Sequence, residues 1–129
     1  MSLRSPLGRV LGLGSAKDGT GHWWAQRVTA IALVPLTLWF VFSLLTLPAL
    51  DYETVHTWLA FPLTGFLAVL LVAVLSYHSY LGTIVIVEDY VHTGGMKVLT
   101  LMVLRFLYVL TGGAAIFAIL RVVFGFSRL

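Results

Sequence analysis

His78 is the residue whose type and position most need a chemical account. It lies inside a thirty-residue run, Trp58 to Val87, that contains no Asp, Glu, Lys or Arg. An ionisable side chain that far from any charge is expensive to keep in an apolar setting, so its presence points to function by default. A neutral imidazole can act as an axial ligand for haem iron. It can equally well hydrogen-bond a carbonyl or hydroxyl on a neighbouring helix, and both readings stand at this point. Gly82, one helical turn further on, shares nearly the same face and leaves room for a flat macrocycle or a close helix. A haem with two histidine ligands needs a second histidine at similar depth. His22, His56 and His92 fall at or beyond the ends of the apolar runs, so that ligand would have to come from another chain.

Asp89 and Tyr90 close the same run, behind Glu88. Asp89 follows His78 by eleven residues, close to three helical turns, which puts the two on nearly one face. The Tyr90 phenol can donate a hydrogen bond to a carbonyl. Acidic and aromatic residues also commonly end a membrane helix, and that plain reading stays open. Arg27 and His22 open the first apolar run at the same end of the molecule. Arg27 could pair with Asp89, could bind an anionic group such as a haem propionate, or could simply be a positive charge at the inner surface. Gln26 and Thr29 add small polar groups of low specificity.

The elements that must position these residues follow from composition. The chain has 129 residues, 60% of them hydrophobic and 10% charged, with a mean hydropathy of +1.00. A soluble domain carries roughly 25% charged residues, so the composition excludes a cytosolic enzyme, a nucleic-acid binder and a disordered chain. A net charge of +3 spread so thinly cannot form a phosphate-tracking stripe. With no cysteine, the chain holds no disulfide, thiolate metal site or iron–sulfur cluster. Three apolar stretches, Val28 to Leu47, Trp58 to Val87 and Val98 to Leu120, each suffice to cross a hydrocarbon core of about 30 Å. They predict an all-α membrane protein with three transmembrane helices over 24–47, 57–88 and 97–124. Pro35 interrupts the first stretch and Arg105 the third, where its head snorkels to the inner surface. The small residues Gly112 to Ala115 suit close helix packing.

Domain organisation reads as an N-terminal cytoplasmic arm, 1–21, followed by a three-helix anchor domain, 22–129, with a hinge only at Gly14 to Gly21. Val10 to Leu13 is too short and glycine-rich for the core of a signal peptide. Arg4, Arg9, Lys17, Arg27 and Lys97 lie on one side, whereas the connection holding Asp51 and Glu53 has no basic residue. The positive-inside bias therefore sets the N-terminus in the cytoplasm and the C-terminus in the periplasm, against the two votes of Arg121 and Arg128.

The segment HSYLGTIVIVEDY, His78 to Tyr90, resembles the signature of the small hydrophobic anchor subunit of succinate dehydrogenase, respiratory complex II. In that family a helix-2 histidine is followed eleven and twelve residues later by Asp-Tyr. AQRVTAIAL, Ala25 to Leu33, resembles the family's start of helix 1. The resemblance covers about residues 20–125 and implies the following roles. His78 matches the axial ligand of a b-type haem shared with a larger cytochrome b anchor subunit. Tyr90 matches the tyrosine that hydrogen-bonds a ubiquinone carbonyl, and Asp89 the neighbouring carboxylate of the quinone site and its proton supply. Arg27 matches the arginine near the haem propionates, and His22 lies close to a histidine that some members carry just before it. The implied partners are the larger anchor, an iron–sulfur subunit, a flavoprotein subunit and membrane lipid, in a bacterial or mitochondrial inner membrane. The succinate-oxidising centre would lie outside this chain. A non-redox helical scaffold and a fumarate reductase anchor are the competing readings.

Overall fold

The computed structural model describes residues 15–125 of the chain. They form four helices and no strand: α1, Ser15–Thr46; α2, Tyr52–Ala60; α3, Pro62–Tyr90; and α4, Gly94–Val123. Thr20–Thr46, α3 and α4 are each long and apolar enough to cross a membrane. At about 1.5 Å per residue, α3 and α4 exceed a hydrocarbon core of roughly 30 Å and can tilt or project beyond it. Pro35 sits within α1 without ending it. The helix starts at Ser15, earlier than position 24, so Gly19 and Gly21 of the expected hinge lie in helical backbone. Gly14 and the rest of the expected arm up to that point lie outside the described residues.

The uncharged run from Trp58 to Val87 is not one helix, as the sequence reading expected. It breaks at Phe61, where the backbone turns extended (φ −66°, ψ 127°) before Pro62 opens α3 at its first position. The proline ring crowds the residue before it out of the helical region, while its own fixed φ suits a first helical turn. Upstream, Asp51 caps α2 by accepting a 2.9 Å hydrogen bond from the Thr54 N–H. Hydrogen bonding by Thr54, through its side chain first and its N–H second, holds the Asp51 carboxyl below its ordinary value. Between α3 and α4 only Val91 to Thr93 intervene, which forces the two helices to run antiparallel as neighbours. After α4 the chain turns through Gly125 at φ 71°, a left-handed conformation that glycine adopts without penalty.

The three long helices of the expected anchor domain form a row. α3 lies in the middle, packed on α1 along one side and on α4 along the other, and among the described residues the backbones of α1 and α4 do not come close. α2 covers the ends of α3 and α4. Close approach depends on glycine. Gly65 touches Val123, and a Cβ built on Gly112 would lie 2.9 Å from Ser76 Oγ. Trp58 of α2 stacks on Trp39 of α1 at 6.0 Å between ring centroids. Buried side chains come mainly from the central helix: Ala68, Leu71, Leu81 and Val87, joined by Leu36 of α1. Most large apolar residues of α1 and α4 face outward, so hydrocarbon or another subunit must complete their surroundings.

Candidate functional site

His78 is half-buried on α3, on the side that meets α1. Its Nδ1 lies 2.9 Å from Thr29 Oγ1. The Thr29 hydroxyl also reaches the carbonyl oxygens of its own helix, Ala25 at 2.7 Å and Gln26 at 3.1 Å. His22, Gln26 and Thr29 recur at helical spacing on α1 and so form one stripe. Gln26 Nε2 sits 3.8 Å from where a Cβ on Gly82 would be, so a close helix fills the space beside that glycine. His22 Nε2 and Gln26 Oε1 are buried without a hydrogen-bond partner. Buried polar atoms in proteins are normally satisfied by protein, water or ligand. The α1–α3 seam thus carries two histidines, a glutamine and a threonine, with hydrogen-bonding capacity to spare.

The other expected residues stand apart. Asp89 and Tyr90 lie at the end of α3, both exposed, Tyr90 to 78%. Eleven residues of helix separate Asp89 from His78, about 16 Å along the axis, so the two do not share one pocket. Arg27 is exposed, with its guanidinium 5.5 Å from the centre of the Trp23 ring. That cation–π contact engages the Arg27 side chain, and no ion pair joins it to Asp89, one of the partners weighed for it. Among the described residues, no group of three or more His, Asp or Glu side chains could hold a metal ion by itself.

Two features escaped the sequence reading. Thr29, weighed as a low-specificity residue, is the hydrogen-bond partner of His78. On the opposite side of α3, Thr83 Oγ1 and Tyr108 OH lie 2.8 Å apart, and the Tyr80 and Tyr108 rings meet edge to face at 5.8 Å. Beside them runs an open groove of about 350 Å³, lined by Ser76, Tyr77, Tyr80, Arg105 and Tyr108. Arg105, expected to reach for the inner surface, is among the residues that line this groove. The signal available for it was the set of hydroxyl residues one turn apart on α3, Ser76, Tyr80 and Thr83.

Comparison with known proteins agrees across most of the chain. Residues 1–112 match the family model described as succinate dehydrogenase/fumarate reductase transmembrane subunit. The chain is 33% identical over 118 residues to the succinate dehydrogenase hydrophobic membrane anchor subunit of Rickettsia bellii, covering 90% of this chain and 93% of that protein. It is 32% identical over 121 residues to the protein of the same description from Paracoccus denitrificans, covering 94% and 93%. The succinate dehydrogenase membrane anchor subunit of Reclinomonas americana is 30% identical over 92 residues, covering 69% and 77%. No solved structure matches the chain. A chain with three apolar spanning helices and these relatives is a multi-pass protein of a bacterial or mitochondrial inner membrane, where an anchor subunit associates with the rest of its complex. The chain belongs to the succinate dehydrogenase/fumarate reductase transmembrane subunit family, among the hydrophobic membrane anchor subunits of succinate dehydrogenase.

Proposed function

We propose that this anchor subunit helps to hold a b-type haem through His78 and contributes Tyr90 and Asp89 to a ubiquinone site. The observation that carries the reading is the layout of α3, which presents a half-buried imidazole in mid-span and an exposed Asp-Tyr pair at its end. The donor set supports the haem. Imidazole suits iron, and buried, unpartnered His22 Nε2 and Gln26 Oε1 on the facing stripe could serve polar groups of a cofactor. The second axial ligand would come from the larger anchor partner. When bound, such a haem would supply reversible one-electron storage, with His78 as the ligand from this chain.

Reduction of a quinone to a quinol takes two electrons and two protons. In this reading an iron–sulfur subunit delivers the electrons, since the chain has no cysteine for a cluster of its own, and a flavoprotein subunit draws them from succinate. The Tyr90 hydroxyl donates to a quinone carbonyl and orients the ring. Asp89, next to it and exposed, passes protons from the cytoplasmic side. Arg27 and His22 would lie between the imidazole and the Asp-Tyr pair, since Gln26 faces Gly82 and Thr29 faces His78. The work of this chain is therefore position, hydrogen bonding and local charge rather than redox chemistry.

Tyr90→Phe in the intact complex tests the quinone site. The expected result is slower quinone reduction with unchanged succinate oxidation by an artificial acceptor; unaltered quinone reduction would remove Tyr90 from the site. His78→Ala should abolish or shift the b-type absorption band, and a wild-type spectrum would move the haem elsewhere.

A further inference from the structure

Thr29 has no role in that reading, yet its hydroxyl lies within hydrogen-bond distance of His78. One hydroxyl proton faces three acceptor-capable atoms: the Ala25 carbonyl at 2.7 Å, the Gln26 carbonyl at 3.1 Å and His78 Nδ1 at 2.9 Å. Carbonyl oxygens can only accept. If the Thr29 proton pointed at Nδ1, the hydroxyl oxygen would stand 2.7 Å from the Ala25 oxygen with no hydrogen between them. Lone pair would then face lone pair. If the proton goes to the helix carbonyls, as threonine hydroxyls in helices commonly arrange it, the Thr29 lone pairs face the imidazole. The 2.9 Å contact is then a hydrogen bond only when Nδ1 carries a proton and donates it.

We propose that Thr29 is a positioning residue that locks His78 in its Nδ1–H tautomer and leaves Nε2 as the nitrogen with the available lone pair. Nε2 makes no hydrogen bond within the described residues. The inference deepens the haem reading and rests on it for its consequence. A neutral imidazole binds a metal through its unprotonated nitrogen, and the hydrogen bond at the other nitrogen selects which one that is. The chain Nδ1–H to Oγ1–H to the Ala25 carbonyl polarises along its length and makes the ring a stronger donor. Because the last acceptor is the backbone of α1, the ring on α3 is oriented by a second helix. Serine can reproduce this relay; valine keeps the β-branched shape and cannot.

The experiment compares Thr29→Val, Thr29→Ser and His78→Ala in the full complex. Thr29→Val is expected to lower haem affinity by about 10- to 100-fold, raise the haem midpoint potential and alter the low-spin EPR spectrum, with Thr29→Ser restoring all three. Wild-type affinity, potential and spectrum in Thr29→Val overturn the proposal. If His78→Ala keeps its haem, the haem reading fails alone. The tautomer is then decided in the same complex by ¹⁵N resonances of labelled histidine, the His78 signal being the one lost in His78→Ala. An Nδ1–H signal that changes in Thr29→Val supports the proposal, and an Nε2–H signal overturns it.

Discussion

Gly65→Ala would press a methyl group into Val123 Cγ2, with the Leu59 carbonyl oxygen 3.3 Å and Val123 Cβ 3.5 Å away. Val123 is β-branched and is the last residue of α4, so a single χ1 rotamer is strongly favoured and cannot swing aside cheaply. Overpacking of this kind costs about 1–3 kcal/mol. Helix propensity returns up to about 1 kcal/mol when alanine replaces glycine. The net destabilisation is therefore about 0–2 kcal/mol. In a Val123→Ala background Cγ2 is gone, and the remaining neighbours lie no closer than 3.3 Å. Gly65→Ala should then show only the gain in helix propensity, giving a coupling of about 1–3 kcal/mol between the two sites. Reversible SDS unfolding of the purified anchor subunits in mixed micelles, followed by far-ultraviolet circular dichroism, measures the cycle. Gly112→Ala is the internal comparison. Its methyl meets Ser76 Oγ at 2.9 Å, but a serine hydroxyl can rotate away, so its cost should be the smaller. Strict additivity of Gly65→Ala and Val123→Ala, or a larger loss for Gly112→Ala, would refute the reasoning.

The same α3–α4 contact can be tested covalently, because the chain has no cysteine. A Cβ on Gly112 would lie 3.3 Å from Ser76 Cβ, close to the separation that a disulfide spans. The pair Ser76→Cys and Gly112→Cys should oxidise rapidly within one chain, and mass spectrometry that finds two free thiols after mild oxidation would contradict the packing. At the opposite end of the charge scale, Asp51 contributes through its bond to Thr54. Its folded carboxyl is depressed below 3.8, so the cap is intact above that pH and weakens as pH falls through the lowered value. Hydrogen exchange at the Thr54 amide should quicken over that acid range, and Asp51→Ala should be fast at every pH; protection that ignores both changes would exclude the cap.

Much of this architecture was legible because charge is so sparse. Where no Asp, Glu, Lys or Arg interrupts twenty residues, little besides a spanning helix fits. That same uniformity hid the break at Phe61, since Pro62 acts through sterics and leaves no mark on hydropathy. The row of helices was hidden for a related reason. Side chains that face lipid and side chains that face a neighbouring helix are both apolar, so Ile31 and Leu36 of α1 look alike in sequence, while one is 71% exposed and the other 8%. His78 was visible as an ionisable residue without company. Thr29 was not, because a threonine that bonds its own helix is commonplace, and only the packing of α1 against α3 brings its hydroxyl to the ring. Arg27 shows the converse: its charge made a partner across helices attractive, yet Trp23, one turn away on the same helix, holds it.

A row with α3 at its centre and outer helices whose backbones do not come close is a wall, and a wall has two faces but no interior. Whatever binds against either face is enclosed only when another body closes the far side. Ligand binding and subunit association then share one free energy, and each must strengthen the other by the same factor. Occupancy of a site on this chain is thus a measure of assembly. Detergents that loosen the partner should release the ligand, and conditions that saturate the ligand should hold the complex together through purification.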